Sequence, residues 1–129
     1  MDVFEYDYYN RLRNDYLKHK SLFVAYDYDN TVYDFHGHGI SYEKIIELLR
    51  ECKSLGFTMI LFTGNEGEKL NAILEDLKRR EIPFDLINEN PLMKTRKPYY
   101  NILLDDRAGL KESYKHLKKL VDEIRNEKI

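Results

Sequence analysis

An apolar run that leads directly into paired acids is the first sign of chemistry in this chain. Residues 22–26 are all apolar or aromatic, and Asp27 and Asp29 follow with a single tyrosine between them. Such a run is typical of a buried strand, and its carboxyl end is where an open α/β sheet places its ligands. Two carboxylates there are costly unless a cation or a reaction requires them. Oxygen ligands of this kind suit a hard divalent cation such as Mg²⁺.

Two later apolar runs also end in polar residues, and a basic loop precedes the second of them. The residues that follow these runs are Thr63, Gly64 and Asn65 in the first case, and Asp105 and Asp106 in the second. The basic loop holds Lys94, Arg96 and Lys97. Any one of these motifs occurs by chance. Four of them in one order, each at a predicted strand end or in a basic loop, form a specific signal.

This order of motifs resembles that of the haloacid dehalogenase superfamily of phosphate-handling hydrolases, over residues 23–109. The resemblance implies that Asp27 is a nucleophile that forms an aspartyl phosphate. It implies that Asp29 is the general acid and then the general base, and that its backbone carbonyl binds the metal. The implied cofactor is Mg²⁺, and Asp105 and Asp106 would complete its site with Asp27, directly or through water.

The same resemblance implies a phosphate site on the other side of the nucleophile. Its residues would be Thr63, Gly64, Asn65 and Lys97. The hydroxyl of the threonine and the two following backbone N–H groups stand where a helix is predicted to begin, which favours anions. Lys97 is nearest to the last strand and is our choice for the cation that neutralises the phosphoryl group. Lys94 and Arg96 remain alternatives.

Strands and helices alternate along the chain. We predict helices over 4–18, 42–54 after an N-cap at Ser41, 66–80 and 108–127, and strands over 22–26, 57–62, 84–87 and 101–104. The alternation predicts a parallel sheet with right-handed crossovers. The family resemblance implies that the first strand lies between the second and the fourth, with the third outside the second. We therefore predict one three-layer, Rossmann-like α/β domain over 1–129, with an N-terminal helix within 1–20 and a short flap over 31–40.

The spacing of the motifs leaves no room for a cap domain, which many members of this superfamily carry. We therefore expect an open site, with Tyr33 and Phe35 at its mouth. An open site suits a phosphorylated small molecule or nucleotide, and also phosphates on protein or nucleic-acid ends. The acid-acid-Arg sequence that ends at Arg107 resembles the phosphatase half of phage polynucleotide kinase-phosphatases. A nucleic-acid 3′-phosphate is therefore an alternative substrate.

Composition narrows the class of protein. The chain has 129 residues and a formal net charge of −2, so it has no global basic field for nucleic acid. A single cysteine, Cys52, excludes an internal disulfide and is typical of a reducing compartment. The first residues lack the basic and apolar segments of a signal peptide, and no run is long enough to span a membrane. We expect a cytoplasmic protein with no membrane partner; its oligomeric state is left open.

Two other functions use similar residues. One is a receiver-like signalling module that accepts a phosphoryl group on an aspartate. A receiver, however, carries its acid pair on the first strand, whereas here Asp27 and Asp29 come first and the acid pair last. The other is a binding protein that kept the fold and lost turnover. His36 and His38 lie in a glycine-rich turn with no cysteine partner, so we interpret them as loop residues rather than metal ligands.

Overall fold

Four parallel strands form one sheet, in the order β3-β2-β1-β4. The computed structural model describes residues 1–129. The strands are β1 (Phe23–Asp27), β2 (Thr58–Phe62), β3 (Leu86–Ile87) and β4 (Ile102–Leu104). The predicted strand order and the parallel, Rossmann-like architecture are confirmed. Because β1 lies between β2 and β4, the ends of these three strands meet at one edge of the sheet.

Helices flank the sheet. They are α1 (Tyr8–His19), α2 (Glu43–Ser54), α3 (Gly67–Arg79) and α4 (Leu110–Arg125), and a short 3₁₀ turn covers Val3–Glu5. The centres of β1 and β2 are fully buried, as a sheet covered by helices requires. Val24 pairs with Met59 on one side and with Ile102 on the other, which fixes the register of the three strands. No helix has the length and apolar character needed to cross a membrane.

The first helix begins later than predicted. Phe4, expected on its inner face, lies in the 3₁₀ turn with 93% of its surface exposed. The cause is Asp7, whose carboxylate accepts a hydrogen bond from the N–H of Asn10 and caps a new helix start. Ser41 was also expected to be an N-cap. The cap of α2 is Tyr42 instead, and the Ser41 hydroxyl accepts a weak bond of 3.4 Å from Glu43 N–H.

The third and fourth strands are shorter than predicted, and the same hydrogen-bond pattern stands at the start of both. Asp85 donates its N–H to the carbonyl of Met59 and accepts the Met59 N–H through its carboxylate, at 2.7 and 2.8 Å. Asn101 does the same with Phe23, through its side-chain amide, at 2.9 and 2.7 Å. A side-chain oxygen therefore replaces a backbone carbonyl at the start of each strand. The carboxyl ends of the strands, where the candidate site lies, are unaffected.

Candidate functional site

Three carboxylates meet at the carboxyl edge of the sheet. Asp27 is the last residue of β1, and Asp105 and Asp106 follow the neighbouring strand β4 directly. One carboxylate oxygen from each of the three lies within 4.8 Å of the others. The predicted convergence of the first and last acidic motifs is therefore present in the folded chain. His36 and His38 belong to no such group of potential metal ligands.

The electrostatics of this cluster are unfavourable without a counter-charge. Burial and then the nearby charges of Asp105 and Asp106 raise the pKa of Asp27 to about 7. Like charges in a partly desolvated site destabilise one another, so one carboxyl tends to stay protonated. A bound divalent cation would relieve this repulsion, and the donor set consists of the hard oxygens that Mg²⁺ prefers. The three side chains could therefore hold such an ion.

Asp29 lies close to the cluster but outside it. It is half-buried in the turn that follows β1. Burial, and secondarily the charge of Asp106, raise its pKa, while His36 lowers it. A raised pKa suits a carboxyl that must hold a proton before it donates one. The Asp29 carboxylate does not belong to the group of three carboxylates that could hold a metal. The predicted metal ligand of Asp29 is its backbone carbonyl.

The turn that carries Asp29 is fastened to α3. The Tyr28 hydroxyl donates a 2.6 Å hydrogen bond to the carboxylate of Asp76. That carboxylate also binds the guanidinium of Arg80 at 2.9 Å, and the same guanidinium donates to the carbonyl of Val32 at 2.6 Å. Tyr28 and Val32, at the two ends of the turn, are thus both hydrogen-bonded to the ion pair of Asp76 and Arg80. Sequence reasoning missed Asp76 and Arg80, because an acid and a base four residues apart on a helix are typical of an exposed surface pair.

Thr31 links the first acidic motif to the last. It is fully buried, and its hydroxyl accepts a hydrogen bond of 3.2 Å from the backbone N–H of Asp106. The Asp105 carboxylate accepts the N–H of Arg107 at 2.8 Å, which orients the same loop. The threonine of the first motif therefore has a structural task, since it holds the two acidic loops in register.

The loop after β2 is tied to the loop after β3. The N–H of Thr63 donates to the side-chain oxygen of Asn88, and the Asn88 amide donates back to the Thr63 carbonyl. The Thr63 hydroxyl oxygen accepts the backbone N–H of Asn65 at 3.1 Å. That N–H is already engaged within the loop in this conformation, and its use for phosphate stays a prediction that requires this bond to break. The N–H of Gly64 makes no such bond.

Asp27 and this loop face a common recess, which we call the Asp27 cleft. It has a volume of about 370 Å³. Its lining consists of Asp27, Phe62, Thr63, Gly64, Asn88, Asn90, Thr95, Arg96 and Pro98. The predicted nucleophile therefore shares a recess with two of the four predicted phosphate-binding residues. The cleft is open, which agrees with the expectation of a site that no cap domain covers.

One basic side chain of the loop lines the same recess as Asp27. Arg96 lines the Asp27 cleft, whereas Lys97 and Lys94 do not. Lys94 lines another recess, together with Glu89 and Met93, and Arg96 lines that recess as well. All three cations are exposed. Of the three cations, Arg96 alone lines the same recess as Asp27, and the choice of Lys97 for the phosphate stays a prediction.

Comparisons with known proteins identify the fold without a function. No protein-family model matches the chain, and no curated protein matches it either. A conserved protein from Bacteroides thetaiotaomicron has a similar structure, with a TM-score of 0.62 and 23% identity over 77% of this chain and 91% of its own. A structure from Vibrio cholerae has a TM-score of 0.46 and 21% identity, over 78% and 97%. The first of these likenesses supports the α/β fold alone.

Proposed function

We propose that this protein is a Mg²⁺-dependent phosphohydrolase of the haloacid dehalogenase type, which cleaves phosphomonoesters through an aspartyl phosphate. The observation that carries the proposal is the position of Asp27. Its carboxylate stands within 4.8 Å of two others from the neighbouring strand end. The same side chain opens into a cleft lined by Thr63, Gly64 and Arg96. Acids for a metal and donors for an anion therefore flank a single carboxylate.

The reaction has two displacements at phosphorus. First, an oxygen of Asp27 attacks the phosphorus, the bond from phosphorus to the ester oxygen breaks, and Asp29 gives its proton to that oxygen. Second, Asp29 takes a proton from water as the water oxygen attacks the phosphorus. The bond to Asp27 then breaks, inorganic phosphate leaves, and both carboxyl groups return to their starting states. The raised pKa of Asp29 supports its role as the proton donor in the first step.

The metal would be held by the carboxylates of Asp27, Asp105 and Asp106, with the backbone carbonyl of Asp29. When bound, Mg²⁺ neutralises negative charge on the phosphoryl group and keeps Asp27 deprotonated for attack. The chain itself supplies the other charges. Arg96, Gly64 and Thr63 line the same cleft as Asp27, and their guanidinium, N–H and hydroxyl groups would stabilise the phosphoryl oxygens.

The position of Asp27 in the sheet favours this function over a receiver-like module. A receiver has its first strand between its second and third strands, whereas β1 here lies between β2 and β4. The Asp29 carboxyl also has no task in a receiver, yet its turn is held in place by Asp76 and Arg80. A binding protein that lost turnover would have no need of a proton donor held in this way.

Release of inorganic phosphate tests the proposal. The substrates are sugar phosphates, nucleotides and oligonucleotides with a 3′-phosphate, each assayed with Mg²⁺. We expect turnover of at least one class by the wild-type protein and none by Asp27→Asn, which stays folded because the loss of a like charge relieves repulsion. In Asp29→Asn, we expect an acid-stable, hydroxylamine-sensitive phosphoprotein. Turnover by Asp27→Asn within a few-fold of wild type would contradict the assignment, as would the absence of any turnover and of any phosphoprotein.

A further inference from the structure

A second recess lies beside Asp29, and we call it the Asp29 hollow. It has a volume of about 520 Å³, within the range of small-molecule sites. Asp27 and Gly64 line the Asp27 cleft, whereas Asp29 and Asn65 line the hollow. Asp27 and Asp29 are separated by one residue, and Gly64 and Asn65 are adjacent, so the linings of the two recesses are neighbours along the chain at two points.

The side of the hollow formed by the flap is aromatic. Tyr33 and Phe35 line it, and they are 44% and 59% exposed. Tyr33 stacks on the buried ring of Tyr28, with centroids 5.2 Å apart and planes 15° from parallel, so its own plane is fixed. Large rings left exposed beside a functional carboxyl are typical of a surface that binds a ligand. Their faces suit a flat, conjugated ring.

The opposite side of the hollow, formed by α3, is basic. Lys69 and Arg79 line it. The guanidinium of Arg79 binds Asp76, so its charge is balanced. Lys69 is exposed and belongs to none of the ion pairs in the molecule. The hollow thus offers two ring faces on one side and an unbalanced ammonium group on the other.

We propose that the Asp29 hollow binds the leaving group of the substrate, and that this group is a planar ring carrying a second anionic group, the chemistry of a nucleoside bisphosphate. The inference rests on the proposed function. With phosphorus at Asp27 and the ester oxygen within reach of Asp29, the remainder of the ester must extend past Asp29. The ring then stacks against Tyr33 or Phe35, and the second anion lies near Lys69.

The test compares four esters that differ only in the ring and the second phosphate. They are adenosine 3′,5′-bisphosphate, adenosine monophosphate, ribose bisphosphate and ribose monophosphate, and kcat/KM is measured for each. We expect the adenosine bisphosphate to be the best substrate and the ribose monophosphate the worst. Equal kcat/KM for all four in an active protein would overturn the inference while leaving the proposed function in place.

Substitutions test which residue produces the preference for the ring and which produces the preference for the second phosphate. Phe35→Ala should lower kcat/KM about tenfold for both adenosine esters and under about twofold for the ribose esters, since one stacking contact is lost. Lys69→Ala should lower it about three- to fivefold for the two bisphosphates alone, as expected of one exposed charge pair. Phe4→Ala and Lys78→Ala are the controls, because both residues are exposed and line neither recess. Uniform losses across all four esters would contradict the inference.

Binding tests the hollow even if no ester is hydrolysed. Calorimetry with adenosine 3′,5′-bisphosphate should give an affinity that Phe35→Ala and Lys69→Ala both weaken and that Lys78→Ala leaves unchanged. Ribose monophosphate should bind more weakly and be insensitive to Phe35→Ala. A wild-type protein that hydrolyses nothing but binds in this pattern would refute the phosphohydrolase and retain the hollow as a nucleotide site. Binding that neither variant affects would refute the hollow.

Discussion

The two sides of the Asp27 cleft are built in different ways. On the acidic side, Asp27 ends a strand whose centre is fully buried, and the loop with Asp106 is held to the first acidic motif by the buried hydroxyl of Thr31. On the basic side, Arg96 lies in an exposed loop between Asn88 and Pro98 that contains no helix or strand. Carboxylates that hold a metal and attack phosphorus must be placed to a fraction of an ångström, whereas a cation acts over a longer range.

Hydrogen bonds within the basic loop stabilise its conformation. The Asn90 side chain accepts the N–H of Leu92 and donates to the carbonyl of Lys97 at 3.0 Å. The N–H of Lys97 also donates to the Thr95 hydroxyl. These bonds shape the loop without joining it to the acidic side. We therefore expect catalysis to depend on the exact position of the acids, and on the charge of the basic residue more than on its position.

Removal of the proposed Mg²⁺ should have the greatest effect, because it leaves the three carboxylates of the acidic side without a counter-charge. Turnover should stop in a chelator and return with Mg²⁺. Ca²⁺ should substitute poorly, because it prefers more ligands at longer distances. Mg²⁺ should also raise the melting temperature by mass action. Asp105→Asn should reduce that rise, and Glu47→Gln, which removes an exposed charge on α2, should not. Full activity in the chelator would refute the metal requirement.

The next effect concerns the basic side. Arg96→Ala should lower kcat/KM by about ten- to a hundredfold through lost transition-state stabilisation, and Arg96→Lys should retain most of the activity because the charge remains. Lys97→Ala should cost less than about threefold, since Lys97 does not line the cleft. If Lys97→Ala were the more harmful variant, the choice made from the sequence would stand and the role of Arg96 would fall.

A smaller effect tests whether position governs the acidic side. Arg80→Ala removes the hydrogen bonds to Val32 and Asp76 and leaves Asp29 on a looser turn, so kcat should fall about tenfold through the loss of these charge-assisted hydrogen bonds. The fall should be larger for alkyl esters than for para-nitrophenyl phosphate, whose leaving group needs no proton. Lys78→Ala is the control, since Lys78 is exposed on the same helix, lines neither recess and makes no hydrogen bond to the turn. Equal losses on both esters would assign Arg80 to stability alone.

The sequence predicted those features of the fold that depend on the order of the motifs along the chain. The resemblance of the motifs to the haloacid dehalogenase superfamily implied the strand order. The meeting of Asp27 with Asp105 and Asp106 follows from that order, because parallel strands have their carboxyl ends at one edge of the sheet. What the sequence did not predict depends on contacts between distant residues. Arg96 rather than Lys97 faces the cleft because a loop conformation, not proximity along the chain, selects the side chain. The side chain of Asp76 binds Tyr28 across 48 residues, which no local pattern indicates.

The last prediction concerns stability. It distinguishes Asp27, whose pKa is raised, from Asp76, whose pKa is lowered. Without metal, the pKa of Asp27 is about 7 in the folded protein against an ordinary value of 3.8. The folded state therefore holds a proton that the unfolded state releases. The stability that this proton contributes is fully present below pH 3.8 and is lost as the pH rises to about 7. Asp27→Asn should abolish this loss, so the variant should gain on wild type in melting temperature across that range.

Asp76 should behave in the opposite sense. Burial raises the pKa of Asp76, but the hydrogen bonds from Tyr28 and Arg80 outweigh burial and lower it. Its contribution is therefore present above the ordinary carboxyl range and is lost as the pH falls through the lowered value. Asp76→Asn should lose melting temperature relative to wild type at neutral pH and less so in acid. Because Mg²⁺ binds the deprotonated carboxylates, adding it should remove the pH dependence of Asp27 and leave that of Asp76. Unchanged curves for both variants would mean that neither carboxyl has a shifted pKa.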